Sequence, residues 1–354
     1  MKSLAGAVAV LAGSLSLVLV AQSPDVLENA ARSMGAPGLQ SIQYSGRGSV
    51  YLLGQAPAPG APWPRFELAK YIASVDYARN AMREEQVRRD VERPPRGGGA
   101  GPFNPATGQG GIRPIPGDVS QNVVRDGRTE PGLIQIALTP HGFLKVAAAN
   151  KASVTTSTAR GRTNHAISFS IGRHVLTGTI DDRGLVERVE TRIANAVLGD
   201  MLVEAVFADY RDYGGVKFPS RITHRQGGHA VLDLSVLDVQ PNGAAAAPVN
   251  SPVPPAAATA AAPGGADAEK IGDGVWFLTG GNPMSVLVEF SDHVVVIEAP
   301  QGERRSDATI AAVKTLLPSK PIRYVVNTHH HFDHAGGIRG FVAAGIPVVT
   351  HQAN

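Results

Sequence analysis

The stretch NTHHHFDHAGG, residues 327–337, places four of the chain's 11 histidines and one aspartate between His329 and His334. Imidazole nitrogens and a carboxylate are donors suited to a borderline-soft cation such as Zn²⁺. In an extended segment, residues i and i+2 point the same way, so His329 and His331 can converge on one point. Asp333 and His334 lie just before GGIRGFVAAG, which has a helical pattern, and they can address a second point a few ångströms away. His330 and Phe332 then face elsewhere as packing or supporting groups. Gly336 and Gly337 let the backbone come close to the site. A tag or a solvated histidine tract would also be histidine-rich, but neither sits between an apolar strand and a helix with an aspartate in place.

The elements around the motif form a consistent set. IRYVVNT is an apolar strand that leads directly into the histidines. Upstream, GVWFLTG, SVLVEF and HVVVIEAP are short apolar strands. SDATIAAVKTLL is an amphipathic helix, with Ser306 as a candidate cap before Asp307. PVVTH begins a further strand. Strand, helix, strand, motif, helix and strand together describe an α/β unit with a buried sheet.

The longer region before it has a different character. Residues 24–37 read as a short helix, and SIQYSGRGSVYLLGQ and FELAKYIASVDYA as strands. MREEQVRRDVER suits either a solvated helix or an exposed strand. The Pro- and Gly-dense RPPRGGGAGPFNPATGQGGIRPIPGD reads as an irregular loop. GLIQIAL reads as a strand, and TPHGFLKVAAAN as a short helix capped by Thr139 with Pro140 at its first position. Six strands follow, from NHAISFSI to AVLDLSVLDV, separated by turns such as DDRG, LGD, YGG and QGG. Sequential strands with tight turns favour an antiparallel meander. Residues 24–240 therefore form a β-rich antiparallel domain, an open curved sheet or half-barrel. His141, His165, His174, His224, His229 and His293 are separated among turns and strands and read as packing or surface residues. His351, alone on a strand, reads as structural.

Residues 241–268 are Ala/Pro-rich and cannot bury enough apolar surface to fold, so they form a semi-extended tether. The N-terminus runs from Lys2 through a nearly unbroken apolar stretch to small residues, the layout of a secretory signal over residues 1–21. It implies a periplasmic or secreted protein with no membrane association beyond export. The chain contains no cysteine, which excludes disulfides, thiolate nucleophiles and thiolate ligands within it. The net charge is only +3, and the one small arginine cluster, within Arg83–Arg96, makes no basic stripe of the kind nucleic acids require.

The His-x-His-x-Asp-His pattern after an apolar strand and before Gly-Gly resembles the metallo-β-lactamase fold family of metallohydrolases. The resemblance covers residues 270–354, about a quarter of the chain. Glu298 closes VVVIEAP where the family more often has aspartate. The β-rich region is loosely similar to the domain that precedes the hydrolase in some exported bacterial members. The resemblance implies an α+β chain: the β-rich domain, the linker, then over residues 269–354 the first half of an αββα sandwich. It implies two zinc ions, with His329 and His331 on the first and Asp333 and His334 on the second. It further implies a zinc-activated hydroxide, oriented by Asp333, that attacks an ester, lactam, thioester or phosphoester of a small-molecule substrate. The family's remaining ligands lie downstream of this motif. The expectation is therefore an inactive fragment of a longer enzyme, with an uncovered apolar face on its sheet. The competing expectation is a non-catalytic periplasmic binding or scaffold protein.

Overall fold

Period-two alternation of apolar and polar side chains builds most of the protein. The fold is seen in a computed structural model that describes residues 19–20, 24–91, 101–104, 109–111, 118–159, 162–243, 266–280 and 283–354. The β-rich domain contains β1 (Leu19–Val20), α1 (Pro24–Ser33), β2 (Ser41–Tyr51), β3 (Arg65–Asp76), β4 (Ala81–Asp90), β5 (Gly101–Asn104), β6 (Gln109–Gly111) and β7 (Val119–Asp126). It continues with α2 (Glu130–Ala137), α3 (Pro140–Ala149), β8 (Ser153–Ala159), β9 (Arg162–Ile171), β10 (His174–Ile180), β11 (Val186–Asn195), β12 (Gly199–Tyr213), β13 (Val216–Gln226) and β14 (His229–Pro241).

All of these strands except β5 and β6 make one 12-stranded antiparallel sheet in the order β1-β8-β9-β10-β11-β12-β13-β14-β2-β3-β4-β7. The meander expected from the tight turns is thus present from β8 to β14, and β2 joins it by pairing with β14. The buried faces of the strands, together with α1, α2 and α3, enclose a core that includes Met34, Leu68, Phe143, Leu144, Ile167, Leu176 and Phe218.

Two local expectations are corrected. GLIQIAL belongs to helix α2, because Thr129 caps it by accepting from Gly132 N at 3.2 Å and Pro131 sits in its first turn. An unbroken apolar run has no period of its own, so the start signal decides. The stretch expected to be wholly irregular holds the antiparallel pair β5 and β6. Backbone pairing this short needs no side-chain pattern. The ambiguous MREEQVRRDVER is strand β4, held between β3 and β7. Thr139 caps α3 as expected, accepting from Gly142 N at 3.2 Å. Most of the signal segment and of the Ala/Pro tether lies outside the described residues. Among those described, no helix is long and apolar enough to cross a membrane.

The C-terminal module contains β15 (Ala268–Gly272), β16 (Val275–Leu278), β17 (Ser285–Glu289), β18 (Val294–Ile297), α4 (Glu303–Leu316), β19 (Ile322–Asn327), α5 (Phe332–Ala335), α6 (Ile338–Ala343) and β20 (Val348–Thr350). Its six-stranded sheet is antiparallel from β15 to β18 and parallel from β18 through β19 to β20. A second core joins Trp276, Leu278, Leu287, Val294, Val296 and Val325 of the sheet to Ile310, Val313 and Phe341 of α4 and α6. The opposite face, with Val286, Val288, Val295 and Ile297, is half-buried. Helix α4 begins at Glu303 with Gly302 at its cap, four residues before the expected cap Ser306. Ser306 is instead buried, and its hydroxyl donates to Gly337 O at 2.6 Å.

Candidate metal centre

Parallel strands β18 and β19 end side by side and release two loops at the same edge of the sheet. The first opens with Glu298, whose backbone lies in the left-handed region at φ +76°. A non-glycine residue holds that conformation at a cost of about 1–3 kcal/mol, and only where its surroundings fix it. Here Glu298 N donates to Val326 O at 2.7 Å, and Ser285 Oγ donates to Glu298 O at 3.0 Å. The Glu298 carboxylate accepts from Thr328 N at 3.0 Å through Oε1 and meets His334 Nδ1 at 2.8 Å through Oε2. One side chain therefore ties down both the start and the end of the histidine loop.

The second loop carries the motif. Ligand atoms of Glu298, His329 and His334 all lie within 4.8 Å of one another. The His329 ring centre is 4.1 Å from that of His334 and 4.6 Å from that of His331. Asp333 Oδ2 lies 3.7 Å from His334 Nε2. His329, His331, Asp333 and His334 are thus neighbours, and the tightest three-residue grouping takes in Glu298 rather than His331 or Asp333. Burial, and then the nearby His334 and His331, hold the His329 imidazole below its ordinary pKa, which favours the neutral, ligating ring.

Each of the four has one polar atom engaged by protein and another left over. His329 Nδ1 meets Thr328 Oγ1 at 2.9 Å, which leaves Nε2. His334 Nδ1 donates to Glu298, which again leaves Nε2. His331 Nε2 donates to the Ala56 carbonyl at 2.8 Å, which leaves Nδ1. Asp333 Oδ1 accepts from Gln55 Nε2 at 2.7 Å, which leaves Oδ2. A carbonyl cannot donate, so the His331 ring must carry its hydrogen on Nε2. Metal-ligating histidines typically donate their other ring N–H to a carboxylate or carbonyl in this way, so the donor set fits a zinc ion. The Glu298 carboxylate bonds His334 Nδ1, which places it to orient that ring.

His330 and Phe332 make contacts of their own, His330 on the same carbonyl that holds His331. His330 Nε2 donates to Ala56 O at 2.9 Å, and Phe332 meets Trp63 edge-on at 6.3 Å. A Cβ on Gly336 would lie 2.2 Å from Gln301 O, and one on Gly337 would lie 2.4 Å from Ser306 Oγ. These glycines let the motif backbone pack closely onto the Ala299–Gln301 loop and α4. No motif or spacing marks Gln55 or Ala56 in the sequence.

The strand ends, the two loops and the paired imidazoles form a candidate metal site on an α/β sheet. Residues 278–354 match the profile of the metallo-beta-lactamase superfamily. Among solved structures, the chain is similar to a metallo-β-lactamase from Hirschia baltica at 26% identity, covering 25% of this chain and 44% of that one, with a TM-score of 0.23. It is also similar to a Pseudomonas aeruginosa metallo-β-lactamase in its mono-zinc form, at 24% identity, 25% and 42% coverage and a TM-score of 0.23. A LolA superfamily protein from Nitrosomonas europaea matches at 11% identity over 64% of this chain and 94% of that one, with a TM-score of 0.35. The chain spans less than half the length of these metallo-β-lactamases. No curated protein matches it.

Proposed function

We propose that the protein is a zinc-dependent hydrolase exported from the cytoplasm, acting on an ester, lactam, thioester or phosphoester of a small-molecule substrate. One observation carries the reading: His329 and His334 converge beside Glu298 while each keeps one ring nitrogen without a hydrogen bond among the described residues. His329, His331, Asp333 and His334 would hold up to two ions. Zinc in such a site supplies an acidified water and polarises the bond to be cleaved. The chain's own groups do the rest. Glu298 holds the His334 ring in one tautomer, so that Nε2 presents a lone pair. The lowered pKa of His329 keeps its ring unprotonated at neutral pH. Asp333, with Oδ1 held by Gln55, offers Oδ2 as the atom that orients the attacking water. A serine or cysteine nucleophile is not required.

The test is hydrolysis by the zinc-loaded full chain across a panel of lactam, ester, thioester and phosphodiester substrates. Turnover of at least one class, lost on chelation and restored by zinc, is expected. Stoichiometric zinc with no turnover of any class would contradict the hydrolase reading and favour a binding role.

A further inference from the structure

Two of the four motif side chains are oriented from within their own module: His329 by Thr328, and His334 by Glu298. The other two are oriented from the β-rich domain. We propose that the loop between β2 and β3, residues 52–64, is part of the metal centre, with Gln55 setting the Asp333 carboxylate and the Ala56 carbonyl setting the His331 ring. This inference rests on the metal reading above.

The contacts are specific. Gln55 Nε2 donates to Asp333 Oδ1 at 2.7 Å, across 278 positions of sequence. Ala56 is 2% exposed, and its carbonyl accepts from both His330 Nε2 and His331 Nε2. That fixes the His331 tautomer and leaves Nδ1 as its one possible ligating atom. Phe332 N donates to Gly54 O at 3.1 Å. Gly54 is at φ +81°, and a Cβ there would lie 2.3 Å from Phe332 Cγ, so the loop approaches the motif as closely as glycine allows. Trp63 anchors the far end of the loop, edge-on to both Phe332 and His229. A second approach occurs at Gly199, the first residue of β12, where a Cβ would lie 3.2 Å from Arg339 Nη2 of α6.

These contacts differ from generic domain docking because they end on the polar atoms of residues that would hold metal. Groups in such positions typically change metal affinity by 10–100-fold when removed. Gln55 and Ala56 are positioning residues: they act through Asp333 and His331.

The experiment is a Co²⁺ titration of the full chain, reading the dissociation constant and the ligand-field bands, with ¹⁵N shifts of the histidine rings recorded alongside. The variants are Gln55→Ala, Gln55→Glu, Gly54→Val and the double change His329→Ala/His334→Ala. Gln55→Ala is expected to weaken Co²⁺ binding about tenfold and shift the bands without altering thermal unfolding. Gln55→Glu, which sets two carboxylates face to face, should weaken binding further. Gly54→Val should lose the single Nε2–H tautomer of His331. The double change should abolish binding. If it does so while both Gln55 variants keep the wild-type constant and bands, the loop inference falls and the metal reading stands. If the double variant binds Co²⁺ like the wild type, the metal reading falls and the loop inference with it.

Discussion

His329, His331, Asp333 and His334 each have one side-chain atom hydrogen-bonded to protein and another without a hydrogen bond, a division that would suit the cluster to hold a metal. Glu298 is the residue most responsible for it. Its carboxylate bonds both Thr328 N and His334 Nδ1 from a left-handed backbone. Glu298→Ala removes both anchors. Zinc affinity should fall by about tenfold or more, measured by competition with a chromophoric chelator. An unchanged affinity would mean that the loop is held without it. His141 tests a different residue-scale claim. It is buried in the β-rich core, stacked on Phe218, with Nε2 donating to Met34 O at 3.0 Å. Burial pushes its pKa down from 6.5 to about 4. The unfolded chain therefore binds this proton first as pH falls. Stability from the neutral ring is whole above pH 6.5 and is lost as pH falls toward 4, by about 3 kcal/mol in all. Chemical denaturation across that range should show the slope, and His141→Gln should flatten it. The motif residues were legible because they are adjacent in sequence and chemically unmistakable. Gln55 and Ala56 were not, because they lie in a Pro/Gly-rich loop some 275 positions away, and one of them acts through a backbone atom.

Short elements around the motif are held by close backbone approach. Ser306 of α4 reaches Gly337 O, and a Cβ on Gly340 of α6 would lie 2.6 Å from Ser306 Cβ. Gly340→Val should therefore destabilise the C-terminal module by roughly 1–3 kcal/mol, read from denaturant midpoints, because the crowded backbone cannot yield without shifting α4 against α6. A wild-type midpoint would show that the helices have room. This packing also explains why Ser306 misled as a helix cap: a serine near a helix start signals a cap only when its hydroxyl faces its own backbone, and this one faces another element. Strands β9 to β14 were readable from alternation and tight turns. Helix α2 was not, since GLIQIAL is apolar throughout and only Thr129 and Pro131 mark its start.

At the scale of the molecule, two separate cores serve two sheets, and loops from one end of the larger sheet meet the metal loop of the smaller. Composition announced this division: the Ala/Pro stretch lies between β14 and β15, and the residue patterns differ on either side of it. The contact between the modules was invisible in the sequence, because no periodicity encodes which loop faces which. The role of the histidine loop depends on a bound cation. Zinc content of the purified full chain, measured by mass spectrometry beside the His329→Ala/His334→Ala variant, tests it most directly. The wild type should retain zinc through extensive dialysis and the variant should not. Equal zinc in the two proteins would contradict the metal centre described here.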